Sequence, residues 1–230
     1  AFSYERGDYG NKAMVATGFP QDLTEDFDMG AAVNPQKPTS GRGMTSLVSF
    51  LGRANYNLMN KYLFTASFRR DGSSKFAPGN KWSNFASGAI AWRASEEQFI
   101  KDLNVFSNLK FRASYGQTGN QAIGAYATRD YLTVANYPIN GALASGFANL
   151  TWRGPANPDL KWETTSQYNV GVDMGFFQNR INLTIDLYYK KTSDLLQNIQ
   201  IPQSTGFSNM TTNFGNVTNK GLEITGKFYA

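Results

Sequence analysis

The chain has 230 residues, 22 Lys and Arg against 17 Asp and Glu for a net charge of +5, and neither cysteine nor histidine. Those two absences exclude a disulfide framework, thiolate zinc sites and Ser-His-Asp or Cys-His catalysis, and they remove the usual general base near neutral pH. The basic residues form no run that would mark a nucleic-acid surface, and no apolar stretch is long enough for a transmembrane helix, which leaves open a membrane barrel, apolar only at every second strand residue.

Aromatic residues at 14% and 22 glycines favour an all-β chain with many turns. Residues 1–43 are rich in Gly, Asn, Asp and Pro and read as a loop region. Alternation then begins. Val48, Phe50, Gly52, Ala54 and Tyr56 oppose Ser49, Arg53, Asn55 and Asn57; after a short turn, Tyr62, Phe64, Ala66 and Phe68 oppose Thr65, Ser67, Arg69 and Asp71. Beyond a loop at 72–82, Ala86, Gly88, Ile90 and Trp92 face away from Phe85, Ser87, Ala89 and Arg93. The fourth strand sets Leu109, Phe111, Ala113 and Tyr115 against Lys110, Arg112 and Ser114. A long irregular stretch, 117–165, precedes the clearest pattern, in which Tyr168, Val170, Val172 and Met174 oppose Gln167, Asn169, Gly171 and Asp173. The turn "FFQNR" leads into Ile181, Leu183, Ile185, Leu187 and Tyr189, and after a loop at 191–213 a last strand carries Leu222, Ile224, Gly226 and Phe228 on one face.

These are about seven antiparallel strands, and the apolar face of each must meet either a second sheet or lipid. Three features favour lipid. The strands run to roughly ten residues, enough to cross a bilayer at a tilt, whereas ordinary strands average about five or six. Compact and long connections alternate, as periplasmic turns and outer loops do. Aromatic residues (Tyr56, Tyr62, Trp92, Tyr115, Tyr168, Tyr189) gather near strand ends, as in interfacial girdles. The expected fold is therefore a segment of a large transmembrane β-barrel; the alternative is a secreted β-sandwich with a carbohydrate-binding or adhesive role.

Five blocks in consecutive order carry a family resemblance: "FLGRANYNLMNKYLFTASFRRDGSSKF", "KWSNFASGAIAWRASEEQFIKDL", "LKFRASYGQTGNQAIGAYA", "NPDLKWETTSQYNVGVDMGFFQNRINLTIDLYYKKTSDLL" and "NFGNVTNKGLEI". They are similar to the SusC/RagA family of TonB-linked outer-membrane transporters of Bacteroidetes. The resemblance implies a bacterial outer-membrane importer with a barrel of about 22 strands, an N-terminal plug, a SusD-like surface lipoprotein as lid, and oligosaccharide or peptide substrates. It also implies that 1–43 is extracellular loop and 44–230 barrel wall, and that TonB acts through plug and box segments outside this sequence. No enzyme activity, cofactor or nucleic-acid partner is expected.

On this reading Phe50, Phe68, Leu109, Val170, Val172, Leu183 and Ile185 face lipid, while Arg53, Arg69, Lys110, Arg112, Asp173 and Asp186 face the lumen. Arg70 has the opposite parity to the other strand charges and is placed to meet lipopolysaccharide phosphates. Tyr126, Tyr131, Tyr137, Trp152 and Trp162 lie among Asn, Arg and Asp in the long loop, a mixture suited to a sugar ring, a peptide or the lid; the alternative is that the rings simply pack the loop. Asp22, Asp26 and Asp28, with Glu25, offer hard oxygen ligands for Ca²⁺, but Gly30 falls where an EF-hand needs a ligand, and solvated loop charge is the simpler reading. "GQTGNQ" lacks the GK[ST] ending of a phosphate-binding loop and reads as a strand exit.

Overall fold

Period-two alternation has one good solution, a pleated strand that sends its two sets of side chains to opposite faces. The computed structural model describes residues 1–20, 28–130, 132–140, 142–149 and 154–229. Its strands in chain order are β1 (Phe2–Ala13), β2 (Ala16–Thr17), β3 (Asn34–Pro35), β4 (Thr39–Leu58), β5 (Tyr62–Ser73), β6 (Trp82–Arg93), β7 (Phe106–Asn120), β8 (Leu132–Ile139), β9 (Ala142–Asn149), β10 (Glu163–Phe176), β11 (Ile181–Ser193), β12 (Leu196–Gln200), β13 (Asn209–Asn213) and β14 (Asn216–Phe228). One short helix, α1 (Gln98–Lys101), lies between β6 and β7.

Eight strands form a single antiparallel sheet in the order β1-β4-β5-β6-β7-β10-β11-β14, so each long strand pairs with the next long strand in the chain. The connections 59–61, 94–105 and 177–180 gather at one end, and 74–81, 121–162 and 194–215 at the other. The tightest turns use left-handed residues, Met59 and Asn60 in one and Phe177, Gln178 and Asn179 in the other. Asn is among the few side chains that tolerate that region. β4 outruns β5: Leu47–Leu58 pairs with β5, whereas Thr39–Ser46 pairs only with β1 and stands beyond the wall as a two-stranded ribbon.

Register fixes the two faces. Tyr56, Phe64, Ile90, Ala113, Val170, Leu187 and Leu222 lie in one cross-strand row; the adjacent row, on the opposite face, runs Asn57, Leu63, Ala91, Arg112, Gly171, Asp186 and Glu223. The apolar face is bare: Phe50, Phe68, Val170, Leu187 and Ile224 are all about half exposed or more. The remaining strands form only the two-stranded sheets β2–β3, β8–β9 and β12–β13. A sandwich would bury this face under a second sheet, and among the described residues none lies on it.

The buried apolar core sits instead at the long-loop end. Phe76, Phe85, Ile123, Leu160 and Trp162 form it, with Leu47, Ala127 and Leu196 packed against its edge. Trp162 contacts Phe76 and Phe85 at ring-centroid distances of 5.3 and 5.8 Å.

Several expectations change. Phe2–Ala13 is a strand of the sheet rather than loop, because β1 pairs with β4 along its whole length; the sheet therefore has eight strands. The stretch 117–165 contains the end of β7, the β8–β9 hairpin and the start of β10, and 191–213 contains the end of β11 and the β12–β13 hairpin. Leu109 has the parity of the apolar face but is 7% exposed, at the foot of β7 where the 3-10 turn Ala94–Glu96 packs, so it is covered by protein, which removes it from the bare surface expected to face lipid.

Candidate functional site

The polar face brings Arg53, Arg69, Lys110, Arg112, Asp173 and Asp186 onto one side of the sheet. Arg112, on β7, is the hub of a four-charge cluster. Its Nη2 donates to Asp173 Oδ1 at 3.1 Å and to Asp186 Oδ2 at 2.9 Å, and its Nε lies 3.0 Å from Asp173 Oδ2. Lys110 Nζ stands 3.8 Å from Asp173, and the Thr184 hydroxyl donates to the same carboxylate at 3.2 Å. Two cations and two carboxylates cancel, so the group is neutral as a whole. Gly171 makes it possible, because a methyl there would overlap Asp186 Oδ1 and crowd Arg112.

Nearer the long loops, Arg69 Nε donates to buried Asp71 at 2.7 Å and its Nη2 to Ser49 at 3.3 Å; Arg53 Nε donates to Asn55 at 3.3 Å. Hydroxyl pairs continue the pattern, Ser67–Ser87 at 2.6 Å and Thr165–Thr192 at 2.9 Å. The face is wettable and, around Arg112 and Arg69, internally paired. A nucleophile activated by a neighbouring base, which acyl or glycosyl transfer would require, is not among these groups.

Loop stitching places the aromatic candidates. Trp162 is 6% exposed and its Nε1 donates to Lys81 O at 3.0 Å. It packs the loops together and is unavailable to a ligand, a correction to the contact role expected for it. Lys75 Nζ donates to Gln121 O, Asn80 to Pro158 O, and Asn157 to Thr211 O. Asn213 joins both sides of the next gap through Lys161 and Asp194. Tyr126 is half-buried, with φ at 62° and the Arg129 guanidinium 5.9 Å from its ring centroid. A non-glycine residue in that region is strained, and such residues concentrate at functional positions. Tyr137 lies on β8. Tyr131, Trp152, Asp22, Glu25 and Asp26 lie outside the described residues, as does the side chain of Tyr137. Asp28 caps the 3-10 turn Met29–Ala31 by accepting from Gly30 N at 3.1 Å.

Two features were not anticipated from the alternation. Glu97 clamps the short-turn end, accepting from Lys61 Nζ at 2.6 Å, Tyr62 OH at 3.0 Å and Trp92 Nε1 at 3.4 Å. The Lys61 ammonium, outweighing partial burial, holds its carboxyl below the usual range. Lys191 and Lys220 occupy apolar-face positions at the long-loop border, as Arg70 does; the parity of Tyr189 extended by two residues would have placed Lys191.

Comparison with known proteins gives a consistent picture. The family described as "TonB dependent receptor-like, beta-barrel" matches residues 2–229. The TonB-dependent receptor P39 of Formosa agariphila is 40% identical over 225 residues, 97% of this chain and 21% of its own length. The TonB-dependent receptor SusC of Bacteroides thetaiotaomicron is 43% identical over 185 residues, 78% of this chain and 18% of its own length. The RagAB peptide importer in its closed-closed state superposes with a TM-score of 0.80 at 28% identity, over 97% of this chain and 24% of that one. The siderophore receptor PirA of Pseudomonas aeruginosa, at 14% identity and a TM-score of 0.53, shares the fold alone. This chain thus spans about a fifth of the length of the relatives it matches.

Proposed function

Because this chain belongs to the TonB-dependent receptor-like β-barrel family, we propose that it builds part of the wall of an energised outer-membrane importer of the SusC/RagA type. One observation carries the reading: an eight-stranded meander with one bare apolar face and one polar face that carries the paired charges around Arg112 and Arg69. In water the bare face would be covered or would aggregate; in a bilayer it is the lipid-facing surface, and the polar face lines a hydrated interior. Phe50, Phe68, Val170, Val172, Leu183 and Ile185 then meet lipid, and the Arg112 cluster, Arg53 and Arg69 line the lumen.

The substrate is an oligosaccharide or a peptide, taken up with a SusD-like lipoprotein lid and driven by TonB through parts of the protein outside this chain. Similarity to SusC and to the RagAB peptide importer supports this class. On this chain the contact surface is the long-loop end, where Tyr126 is strained and half-buried and Tyr131, Tyr137 and Trp152 belong to the same stretch of sequence.

The wall is tested in the parent protein with spin labels read by a lipid-soluble quencher. Labels at Val170 and Val172 respond while those at Asn169 and Ser114 do not; equal responses sink the face assignment. The importer reading is tested by deleting the parent gene and measuring uptake of oligosaccharides and peptides, with co-purification of a surface lipoprotein from the wild type. Unchanged uptake of both classes overturns it.

A further inference from the structure

Charge on the apolar face is confined to its long-loop border. From β4 to β14 the charged residues at apolar-face positions are Arg42, Arg70, Lys191 and Lys220, and among the described residues no carboxylate shares those positions. Arg42 is neutralised by Asp8 of β1, Nη2 to Oδ2 at 2.8 Å. Arg70, Lys191 and Lys220 have neither a hydrogen bond nor an ion pair with any described residue.

Arg70 differs from the two lysines in being held. Its guanidinium carbon lies 5.2 Å from the Trp82 ring centroid. Trp82 stacks on Phe50 at 6.2 Å, and Phe50 packs on Phe2 at 5.3 Å. Stacking fixes the guanidinium plane while leaving its N–H edge free, the arrangement that takes two oxygens of a phosphate side by side.

A depression of about 630 Å³ opens on the same face. Its floor is the register row Ala54, Ala66 and Gly88, and its walls include Tyr56, Phe64 and Tyr115. Ala66 is four residues from Arg70 along β5, about 13 Å at the strand rise. Phe68 stands between them on the same face; hydrocarbon fits a trough of that lining, and a phosphate fits the cation one ring beyond it.

We propose that Arg70 and this depression form a binding site for a phosphorylated lipid of the outer leaflet, the lipid A of lipopolysaccharide, with a phosphate on the Arg70–Trp82 pair and an acyl chain over Ala54, Ala66 and Gly88. The proposal rests on the reading that the apolar face meets outer-membrane lipid. It adds a specific ligand where a barrel wall needs only a generic one.

The experiment uses the full-length parent protein purified from outer membranes in detergent, with bound lipid A measured by mass spectrometry and the barrel monitored by heat-modifiable gel mobility. R70Q, which removes the cation, and A66F, which fills the trough, each lower bound lipid A roughly tenfold, the scale of a charge-assisted contact, while mobility is unchanged. K191Q/K220Q, which removes twice as much border charge but no stacked guanidinium, has little effect. Retention of lipid A by R70Q, or equal loss in the lysine double variant, overturns the site in favour of general surface charge. Separation of an oligomer by R70E with no change in lipid would assign the surface to a second protein instead. A binding series needing no variant accompanies these: wild-type protein, stripped of lipid, takes up phosphorylated lipid A several-fold more tightly than its dephosphorylated form, and equal binding overturns the proposal. Loss of heat-modifiable mobility in wild type, or failure of the Val170 and Val172 labels to sense lipid, would instead remove the barrel reading on which the site stands.

Discussion

Gly171 is small because two charges need the space above it. Asp186 and Arg112 lean over its Cα, and a single methyl would push them apart. Gly171→Ala is therefore expected to cost about 1–3 kcal/mol, the range for forcing atoms into a packed site. Urea unfolding of the parent barrel in detergent measures it, and a change within error would show that the cluster gives way freely. Glu97 is the second residue whose role is set by its neighbours. Its carboxyl titrates below the ordinary range because Lys61 favours the ionised form, so the clamp is present above the unfolded-state value and is lost as pH falls through the lower folded-state value. Spin labels at Asn60 and Gln98 should give a narrow distance distribution at neutral pH that broadens only below the ordinary carboxylate range. In Glu97→Gln the distribution should be broad at every pH; a narrow one would mean that the two connections are joined by something else.

Strands were legible where one face is apolar and the other polar. From Tyr168 to Met174 alternation is uninterrupted and the structure keeps its parity to the residue; the pairing with β7 slips by one only between Gly175 and Phe176. Phe2–Ala13 was not legible for a physical reason: most of it, Arg6–Ala13, forms with Thr39–Ser46 a ribbon beyond the wall, polar residues such as Arg6 and Asp8 replace apolar ones, and the period-two contrast disappears. Leu109 carried the right parity, but nothing in its own strand announces that the turn after β6 will cover it. Trp162 was misread because its partners, Phe76, Phe85 and Ile123, are distant in sequence, and Phe76 and Ile123 sit in segments without periodicity. Of the candidate site, the charged residues of the polar face were readable from alternation alone, whereas the strain at Tyr126 and the stacking of Arg70 on Trp82 are products of tertiary geometry. Trp162→Ala should cost about 3–5 kcal/mol of local stability, as other buried aromatic truncations do. Hydrogen exchange should rise in 74–81 and 121–127 together, and a rise confined to one of them would show that Trp162 does not join the loops.

The molecule as a whole is a sheet with two free edges, since β1 and β14 each pair on one side only. In hydrocarbon every unpaired N–H or C=O costs several kcal/mol. Closing eight strands on themselves would leave room only for their own side chains, and here the polar face would fill that space with Arg, Lys and Asp. The 230-residue chain refolded alone in detergent is thus expected to give no monodisperse barrel and no conductance; a heat-modifiable, conducting monomer would overturn the wall reading. The same meander has a kinetic side. Every pairing in the large sheet joins strands that are neighbours in the chain, so hairpins can add to a growing edge one at a time, and the barrier at each step is set by the chain that must be closed. By the logarithmic law, closing 121–162 costs about 2 kcal/mol more entropy than closing the 59–61 turn. The β7–β10 seam is accordingly the slow joint: the sheet grows quickly as two pieces, β1 to β7 and β10 to β14, that wait for each other.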